Sequence, residues 1–185
     1  MSREQFSEFV RAAIVSLPQH VKGMLRIADD PDLPDEGRVL AAGAILHWLS
    51  GSNTIPGVSG GVLAYLDDAL MLRLVHERLG VLAPEVVARQ RADSPDVFVS
   101  VAEDLTLVRA ELGDGMGVLT RSLDRLGKLK HRGRTAAQCV ADEASSTDLY
   151  EEAQSALVDL DLDEETVTRG LKGLDAIIES LRTAR

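Results

Sequence analysis

Two adjacent aspartates inside an apolar stretch are the residues best placed to do chemistry in this sequence. Asp67 and Asp68 lie among Leu, Ala, Val and Met, where an ionised carboxylate needs a hydrogen-bonding or ionic partner. Together with His47 they could hold a divalent cation and activate water in a metal-dependent hydrolase. Against this, no His-x-x-x-His or Glu-x-x-His spacing places two ligands on one helical face.

The loop that separates His47 from the aspartates suggests a structural role for the same carboxylates. Both aspartates fall near the start of the helix expected after this loop, where the helix dipole favours negative charge. The loop offers backbone N–H groups, and polar side chains follow one another along it: Ser50, Ser52, Asn53, Thr54 and Ser59. We expect Asp67 or Asp68 to organise the loop by accepting hydrogen bonds from it. The cation site, in which Asn53 could add a neutral oxygen, remains the alternative.

The glycine-rich run 57–61 superficially resembles a serine-nucleophile loop or a phosphate loop. No strand is expected before it and no Lys follows in the Walker position, so we do not assign Ser59 as a nucleophile. The run 113–117 lacks dinucleotide-site spacing and is interpreted as a turn between helices. No catalytic residue is assigned, and the sequence leans away from an enzyme.

Residues 36–80 resemble the YkvA-like bacterial family, in which an apolar helix, a loop with Pro and Asp, and a Leu-Asp-Asp helix follow one another. The resemblance is carried by three segments: Leu49-Ser50, Ile55-Pro56 and Tyr65-Leu66-Asp67-Asp68. This chain departs from the family at Gly51, Asn53 and Gly57, where the family usually has Pro and acidic residues. A cation site formed by the family's loop acids would therefore be weakened here. The family has no settled activity, but many members look membrane-associated, which makes peripheral membrane association an alternative for this chain.

Composition and charge favour a helical, acidic protein. The 185 residues are 45% hydrophobic and only 3% aromatic, and the abundance of Leu, Ala, Glu and Arg favours helix over strand. The formal net charge of -10 opposes general binding to nucleic acid. The single cysteine, Cys139, and an N-terminus without a signal-peptide pattern indicate a reducing, cytoplasmic setting.

We expect an all-α fold with an N-terminal domain over residues 1–93 and a bundle-like or coiled-coil-like region over 94–185. The core of the first domain should be a helical hairpin over 36–80, whose second helix covers 62–80 and ends at Gly80. In the second region, apolar residues recur at helical spacing in three stripes: 97–112, 116–126 and 167–181.

Charge is segregated in the second region. A basic segment contains Arg121, Arg125, Lys128, Lys130, Arg132 and Arg134, and an acidic segment covers residues 142–165. The two segments could neutralise each other, or the basic one could be free to bind an anion or an acidic partner.

The sequence therefore favours a non-enzymatic cytoplasmic interaction or scaffold protein, with a protein partner or with self-association through the 167–181 stripe. No cofactor is expected, apart from the divalent cation of the hydrolase alternative.

Overall fold

The computed structural model describes residues 3–58, 60–98 and 100–183. Helices dominate this part of the chain, and the all-α prediction is confirmed. Before residue 94 the helices are α1 (Arg3–Val15), α2 (Leu17–Ala28), α3 (Asp35–Ser50), α4 (Ala64–Leu82) and α5 (Pro84–Asp93). Ser59, considered above as a nucleophile, lies outside the described residues.

The second half of the chain consists of shorter elements. In chain order they are α6 (Pro95–Phe98), α7 (Val101–Leu112), α8 (Met116–Leu123), strands β1 (Lys130–His131) and β2 (Arg134–Thr135), α9 (Ala136–Ala141), α10 (Glu143–Val158), α11 (Glu164–Gly170) and α12 (Leu174–Thr183). Single 3₁₀ turns at Gly113–Gly115 and Leu126–Lys128 flank α8.

Helices α3 and α4 form the predicted hairpin at the centre of the molecule. Acidic side chains occupy the first turn of α3, where they complement the helix dipole. Gly51 ends α3 with a left-handed φ of 62°, a conformation that glycine adopts without steric cost. The prediction that α4 ends at Gly80 is wrong: the helix runs to Leu82. It stops there because Ala83 precedes Pro84, and a residue before proline avoids the helical region.

In the second half, two of the predicted apolar stripes and the predicted self-association need correction. The 97–112 stripe is divided between α6 and α7, and the 167–181 stripe between α11 and α12, with Gly173 at a φ of 100° in the break. Most of the 167–181 stripe is buried inside the chain, so it is not available for self-association. The short β1–β2 hairpin was not anticipated from the sequence.

One apolar core extends across the expected domain boundary at residue 93. Helix α3 contacts α9 and the 3₁₀ turn at Leu126–Lys128, while α4 contacts α7 and α8. A Cβ atom at Gly43 would lie 2.7 Å from the carbonyl oxygen of Leu126, so α3 and that turn touch backbone to backbone. The described parts of 1–93 and 94–185 therefore pack directly against each other.

Candidate functional site

His47 and Asp67 meet across the hairpin. His47 lies in the last turn of α3, and Asp67 lies in the first turn of α4. His47 Nε2 is 2.9 Å from Asp67 Oδ2, and the two residues are only 4% and 0% exposed. The imidazole N–H donates and the carboxylate accepts, so this contact ties the end of one helix to the start of the next.

The same carboxylate oxygen of Asp67 binds the hairpin loop, residues 51–63. The backbone N–H of Thr54 donates to Asp67 Oδ2 at 2.8 Å. Asn53 adds two bonds: its Oδ1 accepts from the Ile55 N–H at 2.8 Å, and its Nδ2 donates to the Ala64 carbonyl at 3.0 Å. The structure thus brings His47, Asn53 and Asp67 together around the loop, with the contacts that a loop-organising role requires.

The hairpin loop also contacts the second half of the chain. The hydroxyl groups of Thr54 and Ser122 are 2.9 Å apart, and Ser180 donates to the carbonyl of Pro56 at 3.1 Å. A Cβ atom at Gly170 would lie 2.5 Å from Val62 Cβ, so α11 approaches the loop closely. By holding the loop, Asp67 helps to position the surface on which α8, α11 and α12 pack.

Asp68 is adjacent to Asp67 but makes none of these contacts. Its Oδ1 is 3.9 Å from His47 Nε2, which is beyond hydrogen-bonding distance. Among the described residues, neither this atom nor Asp67 Oδ1 has a hydrogen-bond partner, although both are buried. Burial, and then the negative charge of Asp67, raise the pKa of Asp68 well above its ordinary value. Asp68 therefore keeps its proton at pH values where a solvated aspartate has lost it.

Burial limits the chemistry that these side chains can reach. His47, Asp67 and Asp68 are at most 6% exposed, so a substrate could not touch them unless the hairpin loop opened. Within residues 3–58, 60–98 and 100–183, no group of three or more His, Cys, Asp or Glu side chains is arranged to hold a metal ion. The geometry gives Asp67 a structural task, since its Oδ2 binds His47 and the hairpin loop.

The basic segment is partly neutralised by α10. Arg132 Nη1 lies 3.2 Å from Glu152 Oε1, and Arg134 pairs with Asp148 at 3.1 Å and with Glu152. His131 donates to Glu152 at 2.8 Å. The hydrogen bond from His131 and the nearby guanidinium groups outweigh the effect of burial and lower the pKa of Glu152. At this end of the segment, the expected pairing between basic and acidic residues is present.

The remaining four cations of the segment are all exposed, and we call them together the basic ridge: Arg121, Arg125, Lys128 and Lys130. None of them forms an ion pair with any residue that the structure describes. Asp124 interrupts the row in sequence, but its carboxylate lies 3.6 Å from Arg78. The segment 121–134 is thus divided into a paired end and an unpaired ridge.

A second buried polar cluster lies around Arg73, which the sequence shows only as a charge interrupting an apolar run. Arg73 is 3% exposed, and its Nε donates to Asp104 Oδ2 at 2.9 Å. Nearby, the His76 ring stacks on Phe98 at 4.5 Å, and His20 meets the same ring edge-on at 5.7 Å. Burial is the main cause that lowers the pKa of His76 to about 4 and that of His20 to about 3. This cluster anchors the packing between α2, α4 and α6.

No helix in the described part of the chain is long and apolar enough to cross a bilayer. Comparisons with protein-family models, with curated proteins and with solved structures find no match. The resemblance to the YkvA-like family therefore stays a prediction that rests on residues 36–80.

Proposed function

We propose that this protein is a non-enzymatic, cytoplasmic interaction module that uses the basic ridge to bind an acidic segment of a partner protein. The observation that carries the proposal is the division of one basic segment into two parts. Arg132 and Arg134 are neutralised by α10, whereas the ridge has no ion pair with the described residues although carboxylates are abundant in this chain. The single cysteine supports the cytoplasmic setting.

The energetics of exposed charges define the kind of partner. One solvent-exposed ion pair contributes only about 0.2–1 kcal/mol, so a single carboxylate would not be held. A segment with several carboxylates could engage the four cations together, and its complementary charge would raise the association rate. Binding should weaken as salt is added, because screening acts strongly on exposed charges.

The overall charge favours a narrow acidic segment over an extended anionic surface. The net charge of -10 would be brought close to a bilayer or a duplex along with the ridge, and would repel either one. A flexible peptide can contact the ridge alone. Peripheral membrane association is the alternative that the experiment must distinguish from peptide binding.

Fluorescence anisotropy with a labelled polyglutamate peptide tests this proposal on the full chain. The ridge variant carries Arg121→Gln, Arg125→Gln and Lys128→Gln. The matched control carries Lys22→Gln, Arg91→Gln and Lys172→Gln, which removes the same charge from exposed residues elsewhere. We expect salt-sensitive binding that the ridge variant loses and the control keeps. Equal binding by the two variants, or binding to phosphatidylserine vesicles without binding to the peptide, would overturn the proposal.

A further inference from the structure

A cavity of about 310 Å³ lies between α2, α3, α9 and α10, and no residue of the basic ridge lines it. Its volume is at the lower end of the range for small-molecule sites, which is about 300–1,000 Å³. Much of its wall is apolar, formed by Leu25, Ala28, Ala42, Val140 and Leu149. The two alanines leave room where larger side chains would close the space, so the cavity suits a small and mainly apolar ligand.

One cation lines this apolar space. The Nε of Arg38 donates to the Ala28 carbonyl at 3.2 Å, which fixes the guanidinium against α2. Its ion pair with Asp35 is long, at 3.9 Å, and the Asp35 side chain is 90% exposed whereas that of Arg38 is 30% exposed. A partly buried guanidinium with so weak a counter-ion favours an anionic ligand, and its planar fork suits a carboxylate.

The other polar groups that line the cavity are compatible with an anionic ligand at Arg38. Asp29 also lines the space, but it is exposed, so water screens its charge. Ser146 and Thr147 line the wall formed by α10, and their hydroxyl groups can donate to a ligand oxygen. Cys139 lines the cavity as well, and burial is the first cause that raises the pKa of its thiol.

We propose that this cavity binds a medium-chain aliphatic carboxylic acid, with the carboxylate on Arg38 and the alkyl chain along the apolar wall. The combination that points to this ligand is one anchored, weakly paired cation beside a wall to which five apolar side chains contribute. The site is distinct from the basic ridge, because none of the four ridge cations lines the cavity.

Isothermal titration calorimetry of the full chain with sodium octanoate tests the proposal, with octanol as the uncharged probe of equal chain length. Arg38→Gln removes the cation, and Ser146→Leu fills the cavity from α10. Arg26→Gln is the matched control, since Arg26 is an exposed arginine of α2. We expect saturable octanoate binding and about tenfold weaker binding of octanol, the size of one charge-assisted hydrogen bond. Arg38→Gln should lose a similar factor, Ser146→Leu should abolish binding, and the control should match the wild type.

The rate of alkylation at Cys139, the single cysteine, gives a second measurement: octanoate should slow it in the wild type but not in Ser146→Leu. Circular dichroism confirms that each variant is folded. Equal affinity for octanoate and octanol, unchanged affinity in folded Arg38→Gln, or no saturable binding by the wild type would overturn the proposal. Polyglutamate binding should be the same in Arg38→Gln and the wild type, which separates this test from that of the ridge.

Discussion

Asp67 and Asp68 are adjacent and both buried, but only Asp67 makes the hydrogen bonds that hold the hairpin loop. Asp67→Ala removes the oxygen that binds His47 at 2.9 Å and the Thr54 N–H at 2.8 Å. A hydrogen bond to a charged group contributes about 1.5–3 kcal/mol, and the loop can recover part of the loss by moving towards water. We therefore expect Asp67→Ala to lower the free energy of unfolding by about 3 kcal/mol, or the melting temperature by about 6–12 °C.

At acidic pH, where the folded and the unfolded chain both keep the Asp68 proton, Asp68→Ala should cost less than about 1 kcal/mol of stability, because the Oδ1 of Asp68 has no hydrogen-bond partner among the described residues. Its pKa is raised by burial and by Asp67. The unfolded chain therefore releases the Asp68 proton above pH 3.8 while the folded chain retains it. The wild type should accordingly lose stability as the pH rises from 3.8 towards the raised pKa, and Asp68→Asn should remove that loss.

Urea denaturation followed by far-ultraviolet circular dichroism, at acidic and neutral pH, measures all three variants. A cost for Asp68→Ala equal to or above that for Asp67→Ala would refute the assignment of the loop contacts. So would an Asp67→Ala protein as stable as the wild type. Addition of Mg²⁺ should leave the difference between the variants unchanged, because Asp67 holds the loop by hydrogen bonds.

Two further predictions concern the core. The pKa of His76 is lowered to about 4, so the unfolded chain binds a proton that the folded one refuses, and His76 alone should lower the stability by about 3 kcal/mol as the pH falls from 6.5 to 4, in addition to the loss caused by His20. His76→Phe, which keeps the stack on Phe98, should remove the loss caused by His76 in urea titrations; an unchanged slope would contradict the prediction. Gly43→Val should cost about 2–4 kcal/mol, because its Cβ atom would lie 2.7 Å from the Leu126 carbonyl. Gly127→Ala, whose nearest neighbour would be 3.4 Å away, is the control, and equal melting temperatures for the two variants would be evidence against the close approach.

The first half of the fold could be predicted because its apolar periodicity and its helix signals agree. Asp35 marks the start of α3, Gly51 its end, and Pro84 the start of α5. The second half shows equally clear apolar stripes, but helix breaks divide two of them. Gly173, which separates α11 from α12, adopts a positive φ, and neither neighbour in the sequence marks it as a break.

The β1–β2 hairpin illustrates a turn that the sequence signals only weakly. The two residues between the strands, Arg132 and Gly133, have φ values of 46° and 86°, as the tight hairpin turns that match strand twist require. Glycine adopts such a conformation readily, but arginine does so rarely. Arg-Gly is therefore not a pair from which a hairpin is expected.

The sequence indicated where the candidate site lies, but not which of the two aspartates makes its contacts. Apolar surroundings and helix ends indicated that His47 and the aspartates would be close. Adjacent helical residues point about 100° apart, however, and only the packing of α3 on α4 decides that Asp67, not Asp68, faces His47 and the loop. The division of the basic segment depends likewise on where α10 lies, which no local pattern reveals.

We infer that this protein acts by binding at the basic ridge and not by chemistry at its buried acids. The most direct test is a ¹⁵N-edited NMR titration of the full chain with a polyglutamate peptide. We expect amide shifts confined to the region of residues 121–130, with His47, Asp67 and Asp68 unaffected. Shifts centred on those three residues, or no shifts along the ridge at low salt, would contradict it.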